Sequence, residues 1–286
     1  MHDDIMVSIA CITYNHEKYI ADALEGFMMQ KTDFKYEVLI HDDASTDSTA
    51  DIIKSYEKNY PDIIRPIYQS ENQKTKGVKV GTFNRQRATG KYIAICEGDD
   101  YWTDPDKLQR QVSYMENHPE CSLCVHAAYK IKADNEKMMR HVRPHQGDKI
   151  FSVSDIIRGG GGFFATNTML FRTEYEKTKP PYVTGGPVGD YPLAIYLATR
   201  GDVFYIDEFM SAYRVGVPGS WTSRMINDAE QARNYYNRLD NMLNDINQHT
   251  AYQYDADIRH VRFKNYLKRM FPRVTKALKI LRNSIG

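Results

Sequence analysis

The chain has 286 residues, 42% of them apolar and 26% charged, and its formal net charge at pH 7 is +1. This length is enough for one large domain or two small ones with a substantial core. No apolar run approaches the ~18–20 residues that a transmembrane helix needs, and the first residues, MHDDIMVSIA, have no basic stretch before an apolar one. We therefore expect a cytoplasmic protein with no membrane span and no signal peptide.

Apolar runs alternate with stretches of helical periodicity over the first 215 residues. Strands are predicted at 7–15, 36–46, 63–69, 92–96, 122–132 and 202–215, and after the four glycines within 153–172. Helices are predicted at 17–30, 46–60 and 104–120, in a short stretch before residue 92, at the start of 153–172, and after the Gly/Pro loop that opens 182–201. Polar loops are predicted at 72–84 and 134–150. This alternation indicates a sheet of parallel strands covered by helices.

The end of the chain differs from the rest in pattern and in charge. From about residue 225 onward the pattern is helical, so we expect one domain at 1–225 and a basic, helical extension at 226–286. Residues 259–286 hold nine of the 38 Lys and Arg and none of the 37 Asp and Glu, which leaves 29 basic against 37 acidic residues elsewhere. A basic amphipathic helix is typical of proteins that bind an anionic membrane surface. The alternative is a helix packed on the acidic main domain; no motif indicates a nucleic-acid partner.

Two predicted strands end in acidic residues. Asp42 and Asp43 follow the second strand, and Glu97, Asp99 and Asp100 follow the run YIAIC in the stretch ICEGDDYW. Ligands of open parallel sheets bind beyond the carboxyl ends of the strands. Clustered carboxylates repel one another unless a cation lies among them, and hard oxygen ligands suit Mg²⁺ or Mn²⁺. The sequence therefore predicts a divalent ion that carries a diphosphate.

Three stretches, VSIACITYN, VLIHDDASTDST and GKYIAICEGDDYWTDPDKLQRQ, resemble the nucleotide-binding half of family 2 glycosyltransferases, and the resemblance covers roughly residues 5–215. It implies an α/β fold of the GT-A type: the Rossmann-like mixed sheet of nucleotide-diphospho-sugar transferases, flanked by helices, here with a helical C-terminal extension.

The resemblance also implies roles for residues. Thr13 and Tyr14 would line the base pocket of a nucleotide-sugar, Asp43 would hydrogen-bond the nucleobase, and Asp42 would help to hold that turn. Asp99 and Asp100 would bind the ribose and the metal, Mn²⁺ or Mg²⁺. Asp190, in VGDYPLAIYLA, matches the position of the catalytic base. Further contacts are expected from Glu97, which stands where the family often has Asp, and from Arg214 and Trp221, in YRVGVPGSW, where the family has a loop that closes over the donor.

The activity implied is that of a metal-dependent, inverting glycosyltransferase (class EC 2.4). It would move a sugar from a nucleotide-diphosphate donor, with a UDP-sugar expected, to a hydroxyl of a glycan or lipid-linked glycan acceptor. The expected setting is surface polysaccharide biosynthesis, with the basic extension bringing the protein to the inner face of the membrane.

Other interpretations of the same residues stay open. Asp42 and Asp43 could cap the next helix, Asp190 could be an N-cap, and Arg214 could pair with a structural carboxylate instead of a phosphate. The four glycines at 159–162 could be a tight turn or part of the acceptor side. At the level of function, the alternatives are a nucleotidyltransferase and a catalytically inactive sugar-nucleotide-binding subunit.

Overall fold

The computed structural model describes residues 4–218 and 229–270. Trp221, the predicted boundary at 225 and the last part of the basic extension, 271–286, lie outside the described residues.

Strands and helices alternate along the first part of the described chain, as the periodicity predicts. The strands are β1 (Val7–Thr13), β2 (Tyr36–Asp42), β3 (Ile64–Tyr68), β4 (Tyr92–Ile95), β5 (Tyr101–Trp102), β6 (Cys121–Lys132), β7 (Met138–Val142), β8 (Lys149–Phe151), β9 (Leu170–Arg172) and β10 (Asp202–Val215). The helices are α1 (Ile20–Met28), α2 (Thr49–Asn59), α3 (Gly81–Arg87), α4 (Lys107–Asn117), α5 (Val153–Gly159), α6 (Glu174–Lys177), α7 (Pro181–Gly185), α8 (Asp190–Ala198), α9 (Ala229–His249) and α10 (Asp255–Met270). A 3₁₀ turn at Thr166–Thr168 precedes β9.

Within the described residues the strands form one mixed sheet. Its order is β3-β2-β1-β4-β9-β6-β10-β5, with β7 beside β6 and β8 beside β10. Strands β1 to β4 run parallel, and Val7 of β1 lies opposite Tyr36 of β2 and Tyr92 of β4. Strand β9 is antiparallel to β4 and β6. The carboxyl ends of β1, β2 and β4 therefore meet at one edge of the sheet, where the polar residues that follow them come together.

The central strands are buried on both faces, which is why they consist of nearly continuous apolar runs. One buried cluster contains α1, α4 and one face of β1, β2 and β4. The other contains the opposite face together with α5 and α8. Helix α8 is apolar all round, and every residue from Tyr191 to Ala198 is buried, as expected for a helix surrounded by protein.

Helices α9 and α10 pack on the main domain and share its core. Leu239, Met242, Leu243 and Ile246 of α9, with Ile258 and Val261 of α10, belong to the same buried cluster as β-strand residues. The part of the basic extension that the structure describes is therefore attached to the sheet domain by apolar packing. No described helix has the length and apolarity required to span a bilayer.

The sequence predicted loops at three places where the structure has short elements. The segment 134–150 contains β7 and the start of β8, α3 begins at Gly81 within the loop predicted at 72–84, and the Gly/Pro loop before α8 contains α7. Strand β7 is a hairpin arm at the edge of the sheet whose residues are mostly exposed, so it lacks the apolar alternation that identifies a strand in sequence. Helix α7 has only five residues, which is too short for periodicity to detect.

Candidate active site

The acidic stretch after β4 forms a tight loop against the end of β1. Gly98 N donates to Ile12 O at 2.9 Å, and Asp100 N donates to Glu97 O at 3.0 Å. A Cβ atom on Gly98 would lie 2.8 Å from Thr13 Oγ1, so only glycine allows this approach. The loop thus places Glu97 and Asp99 directly beyond the end of the first strand.

Arg214 binds the acidic loop through both its backbone and its side chain. Its backbone N donates to Asp100 Oδ1 at 2.8 Å, and its guanidinium donates to Asp99 O at 3.2 Å. The guanidinium also pairs with Asp22 and Glu136, and lies between the rings of Tyr19 and Tyr101. Arg214 is 3% exposed. The structure therefore shows Arg214 paired with carboxylates, and its contact with a phosphate of the donor stays a prediction.

Neighbouring acids in this loop have different surroundings. Asp100 is buried, and its Oδ2 has no hydrogen-bond partner in the described structure. The side chain of Asp99 is 16% exposed, and its Oδ2 lies 4.0 Å from His16 Nε2. Burial and the neighbouring acids raise the pKa of Asp100. Burial, then Asp99 and Asp190, raise the pKa of Glu97 to about 7, and Lys74 opposes the shift. Glu97 and Asp100 therefore hold their protons more readily than ordinary carboxyl groups do, as expected for clustered acids.

These acids fit a divalent ion only if a ligand completes the coordination. Among residues 4–218 and 229–270, no set of three or more His, Cys, Asp or Glu side chains could hold a metal ion. Mg²⁺ is usually bound by one or two carboxylates together with substrate phosphates and water. The exposed carboxylate of Asp99 and the unpartnered Oδ2 of Asp100 match that incomplete set. Asp99 is the better placed of the two, because Asp100 already accepts from Arg214.

The end of β1 provides one buried and one exposed side chain. Thr13 is 3% exposed and its Oγ1 has no hydrogen-bond partner in the described structure, whereas Tyr14 is 41% exposed. Asn15 follows with a φ of 53°, and its Oδ1 accepts from Thr46 N at 2.8 Å. This bond joins the turn after β1 to the turn after β2, so both sides of the predicted base pocket are connected.

Asp42 and Asp43 hold loops and do not cap a helix. Asp42 Oδ1 accepts from Ser45 Oγ at 2.5 Å, which holds the turn as predicted. Asp43 accepts from the backbone N of Gln73 at 2.8 Å and of Lys74 at 3.1 Å. The N-cap of α2 is Ser48, which makes no side-chain capping bond. The capping interpretation of the two acids is therefore wrong, and Asp43 instead fixes the lysine-rich loop near the site.

Asp190 is the first residue of α8, and the fold brings it near the acidic loop. Its Oδ1 accepts from Tyr191 N at 2.8 Å, and the N-cap is Gly189. Burial raises the pKa of Asp190, against hydrogen bonds from Tyr191 N and from the Thr166 side chain. The effect of Asp190 on the pKa of Glu97 shows that the two carboxylates lie within electrostatic reach, although 92 residues separate them in sequence.

The four-glycine segment lies beside Asp190. A small cavity next to the carboxylate is lined by Gly160, Gly162, Phe163 and Phe164. Gly160 and Gly162 have φ values of 73° and 85°, which side chains adopt only with strain. The segment is therefore a turn with defined geometry, next to the predicted base.

Sequence reasoning missed two residues near this site. His16 faces Asp99. Burial raises the pKa of Tyr235 of α9, and Asp190 lies close enough to raise it further. His16 had a signal, since it directly follows the TYN motif, whereas Tyr235 reaches the site through tertiary packing, which no local pattern indicates. Lys74, from the lysine-rich loop at 72–84, also acts on the pKa of Glu97.

Comparison with known proteins identifies related sequences. The profile described as Glycosyl transferase family 2 matches residues 8–178. An uncharacterized protein of Mycobacterium tuberculosis is 38% identical over 222 residues, which cover 76% of this chain and 61% of that protein. TuaG of Bacillus subtilis, a putative teichuronic acid biosynthesis glycosyltransferase, is 36% identical over 111 residues, 38% of this chain and 42% of that protein. The chain thus spans about three fifths of the first relative's length and less of the second's.

Solved structures share the fold. TarS of S. aureus, residues 1–349 in complex with UDP-GlcNAc, has a TM-score of 0.68 and 17% identity, over 92% of this chain and 73% of that chain. The mannosyltransferase PcManGT from Pyrobaculum calidifontis, in complex with GDP-Man and Mn²⁺, has a TM-score of 0.56 and 16% identity, over 86% of this chain and 65% of that chain. The predicted α/β fold of the GT-A type, with C-terminal helices, is confirmed.

Proposed function

The chain belongs to glycosyl transferase family 2, and on that basis we propose that it transfers a sugar from a nucleotide-diphosphate donor to an acceptor hydroxyl. The observation that carries the proposal is the acidic loop at the carboxyl end of β1, where Asp99 is partly exposed and Asp100 Oδ2 has no hydrogen-bond partner in the described structure. Asp190 lies near enough to this loop to contribute to the raised pKa of Glu97. The two nucleotide-sugars named with the structural neighbours, UDP-GlcNAc and GDP-Man, support a donor of this class. We expect a UDP-sugar.

The donor lies across the ends of β1, β2 and β4 in this proposal. Tyr14 is exposed enough to stack on a base, and the unpartnered hydroxyl of Thr13 lines the pocket behind it. Asp43 fixes the loop that closes the base side and is the candidate for a contact to the nucleobase. Asp99 is the carboxylate that faces the ribose and diphosphate, with Glu97 beside it.

Asp190 is the general base of the proposed reaction. It accepts the proton of the acceptor hydroxyl while that oxygen bonds to the anomeric carbon, and the bond from this carbon to the diphosphate oxygen breaks with its electron pair. A pKa raised by burial brings a carboxylate closer to the value that proton transfer at neutral pH needs. General-base catalysis of this kind contributes roughly 10²–10⁴-fold. One base and no protein nucleophile predict inversion at the anomeric carbon.

A divalent ion, Mn²⁺ or Mg²⁺, would neutralise the charge that develops on the departing diphosphate. Asp99 would hold it from the exposed side, and Asp100 would support it from the interior. The Mn²⁺ in the complex of the archaeal mannosyltransferase supports a metal in this role.

The acceptor is proposed to be a glycan or lipid-linked glycan of surface polysaccharide synthesis, which the teichuronic acid relative supports. We retain the division at residue 225 and the membrane contact as proposals. In α10 the aromatic rings of Phe263 and Tyr266 are exposed among basic residues, as a contact with an anionic membrane would need. Trp221 remains a proposed donor contact outside the described residues.

The test is thermal unfolding with UDP, GDP, dTDP and CMP, each with Mn²⁺ or with EDTA. We expect one nucleoside diphosphate to stabilise the protein only when metal is present, by about 2.7 kcal/mol at 100 times its Kd. A nucleotidyltransferase would instead respond to nucleoside triphosphates. The absence of stabilisation by any nucleotide would overturn the donor site.

A further inference from the structure

Two cations away from the acidic loop meet at one uncharged oxygen. Lys79 Nζ donates to the backbone carbonyl of Gly186 at 2.9 Å, and Arg238 Nη2 donates to the same oxygen at 3.4 Å. Lys79 comes from the loop before α3, and Arg238 comes from α9. Three segments that are distant in sequence therefore bring two positive charges to a carbonyl whose dipole cannot compensate them.

Within the described residues, neither Lys79 nor Arg238 forms an ion pair with a carboxylate. Burial lowers the pKa of Lys79, Arg238 lowers it further, and no acidic group opposes the shift. Lys76, in the same loop, differs because it forms an ion pair with Glu71. The side chains of Lys79 and Arg238 are both exposed, and their charged ends meet at a partly buried carbonyl. Like charges brought together in this way repel each other unless an anion lies between them. The acidic loop brings negative charges together, whereas Lys79 and Arg238 bring positive charges together. A negatively charged ligand would stabilise this arrangement.

The position of the pair indicates the acceptor side. Gly186 belongs to the loop that leads into Asp190, and Met242 of α9 packs against it. Tyr235, on the same face of α9 as Arg238, lies near Gly161 and Asp190. One face of α9 therefore extends along the edge of the candidate site, from the four-glycine segment to Gly186.

The donor diphosphate is a poor candidate for this pair. The cation that acts on the pKa of Glu97 is Lys74, and neither Lys79 nor Arg238 is among the groups that affect Glu97 or Asp100. A diphosphate held at the acidic loop would therefore have Lys74 as its nearer cation.

We propose that Lys79 and Arg238 form an anion-binding subsite on the acceptor side, and that it takes a phosphate group carried by the acceptor. A phosphate with two negative charges matches two cations, and Arg and Lys are the side chains that bind phosphate in proteins. The subsite rests on the proposed function in that it selects phosphate-bearing acceptors for the same transfer reaction. The Gly186 carbonyl would keep the two cations in place when no ligand is bound.

The first experiment uses the full chain saturated with UDP and Mg²⁺, so that the donor site is filled. Thermal unfolding is measured in sodium phosphate and in sodium chloride of matched ionic strength. We expect phosphate to raise the Tm of the wild type in a saturable way. Lys79→Met and Arg238→Met each keep the aliphatic stem, and we expect each to weaken phosphate binding at least tenfold. The matched control, Lys76→Met, should respond as the wild type does.

Two results would overturn the subsite: a phosphate response in both variants equal to that of Lys76→Met, or no saturable response in the wild type. A tenfold weaker affinity for UDP in both variants would also overturn it, since the pair would then serve the donor. If UDP does not stabilise the protein, the proposed function is contradicted. The subsite is still tested in that case, by the phosphate titration without UDP.

A second measurement separates two sources of the phosphate, a lipid headgroup and a soluble glycan. Phosphatidylglycerol vesicles are added to the wild type and to both variants. Vesicle binding that both variants lose, together with the phosphate response, assigns the subsite to a lipid phosphate. Vesicle binding that both variants keep, while the phosphate response is lost, assigns it to a soluble phosphate-bearing acceptor.

Discussion

At the residue scale, Asp99 and Asp100 are neighbours in sequence with unlike surroundings. Asp99 is partly exposed beside His16, and Asp100 is buried against the backbone of Arg214. The family resemblance predicts that both residues bind the ribose and the metal. The geometry favours Asp99 as the group that meets a ligand, and Asp100 as a group that positions the loop.

The two acids should respond differently to removal of the charge. We expect Asp99→Asn to weaken metal-dependent UDP binding at least tenfold while leaving the Tm of the free protein within a degree or two, because Asp99 is partly exposed. Asp100→Asn should keep the bond from Arg214 N through its Oδ1. Since burial raises the pKa of Asp100, removal of its charge should not lower the stability of the free protein at pH 7. Titration with UDP and Mn²⁺, followed by thermal unfolding, checks both variants. Equal losses of UDP affinity in the two variants would contradict this division of tasks.

At the element scale, helix α4 begins with a buried lysine. Lys107 is fully buried, its Nζ donates to Gln111 Oε1 at 2.7 Å, and it lies 3.9 Å from the centre of the Trp102 ring. Burial lowers its pKa to about 7. In place of water, the ammonium group of Lys107 contacts only one amide oxygen and one aromatic ring. The charged form is therefore disfavoured in the folded protein.

This lysine should give the protein a characteristic dependence on pH. In the unfolded chain a lysine has a pKa of about 10.4, so between about pH 7 and pH 10 the unfolded state binds more protons than the folded state. Lys107 should therefore contribute a positive slope to the free energy of unfolding across that window, whereas the four buried cysteines, whose pKa values burial raises, contribute a negative one. In Lys107→Met the contribution of the lysine is absent, so the slope should be less positive than in the wild type, whatever the constant offset from the lost bond to Gln111. Urea unfolding of both proteins at pH 7, 8, 9 and 10 measures the slopes. Equal slopes would show that Lys107 keeps its proton in the folded state.

Elements with strong local patterns could be predicted from the sequence, and elements without them could not. The buried strands β1, β2 and β4 and the amphipathic helices α2 and α4 are where the periodicity places them. Strand β7 is exposed, and its pairing with β6 is tertiary information. The site follows the same rule. The acids after β2 and β4 end predictable strands, and Asp190 follows from family resemblance. Lys79 and Arg238 meet only because α9 folds back, which no pattern within either segment indicates.

At the scale of the whole molecule, the C-terminal helices belong to the structure of the main domain. Leu243 of α9 is fully buried in the cluster that contains strand residues. Arg238 and Tyr235 on the same helix reach the rim of the candidate site. The helical extension therefore contributes to the core and reaches the rim of the candidate site, although its sequence pattern indicates a separate basic segment.

This shared core predicts a single cooperative unfolding transition that depends on α9. We expect Leu243→Ala to lower the free energy of unfolding by about 2–5 kcal/mol, the usual cost of a buried leucine truncated to alanine. Asn241→Ala, at an exposed position on the same helix, should have little effect. Circular dichroism and tryptophan fluorescence should follow the same transition in both variants. A second transition, with the sheet domain unaffected by Leu243→Ala, would show that the extension folds separately.

The central claim is that Asp190, opposite the acidic loop, is the base of a sugar transfer. The measurement that tests it most directly is the release of UDP from the UDP-sugar that stabilises the protein, compared for the wild type, Asp190→Asn and the exposed control Asp245→Asn. We predict that Asp190→Asn binds UDP as the wild type does, because the amide keeps the bond from Tyr191 N, and that it releases UDP at least a hundredfold more slowly. The control should match the wild type. Release by Asp190→Asn at a rate within twofold of the wild type would contradict the claim and would place the base elsewhere.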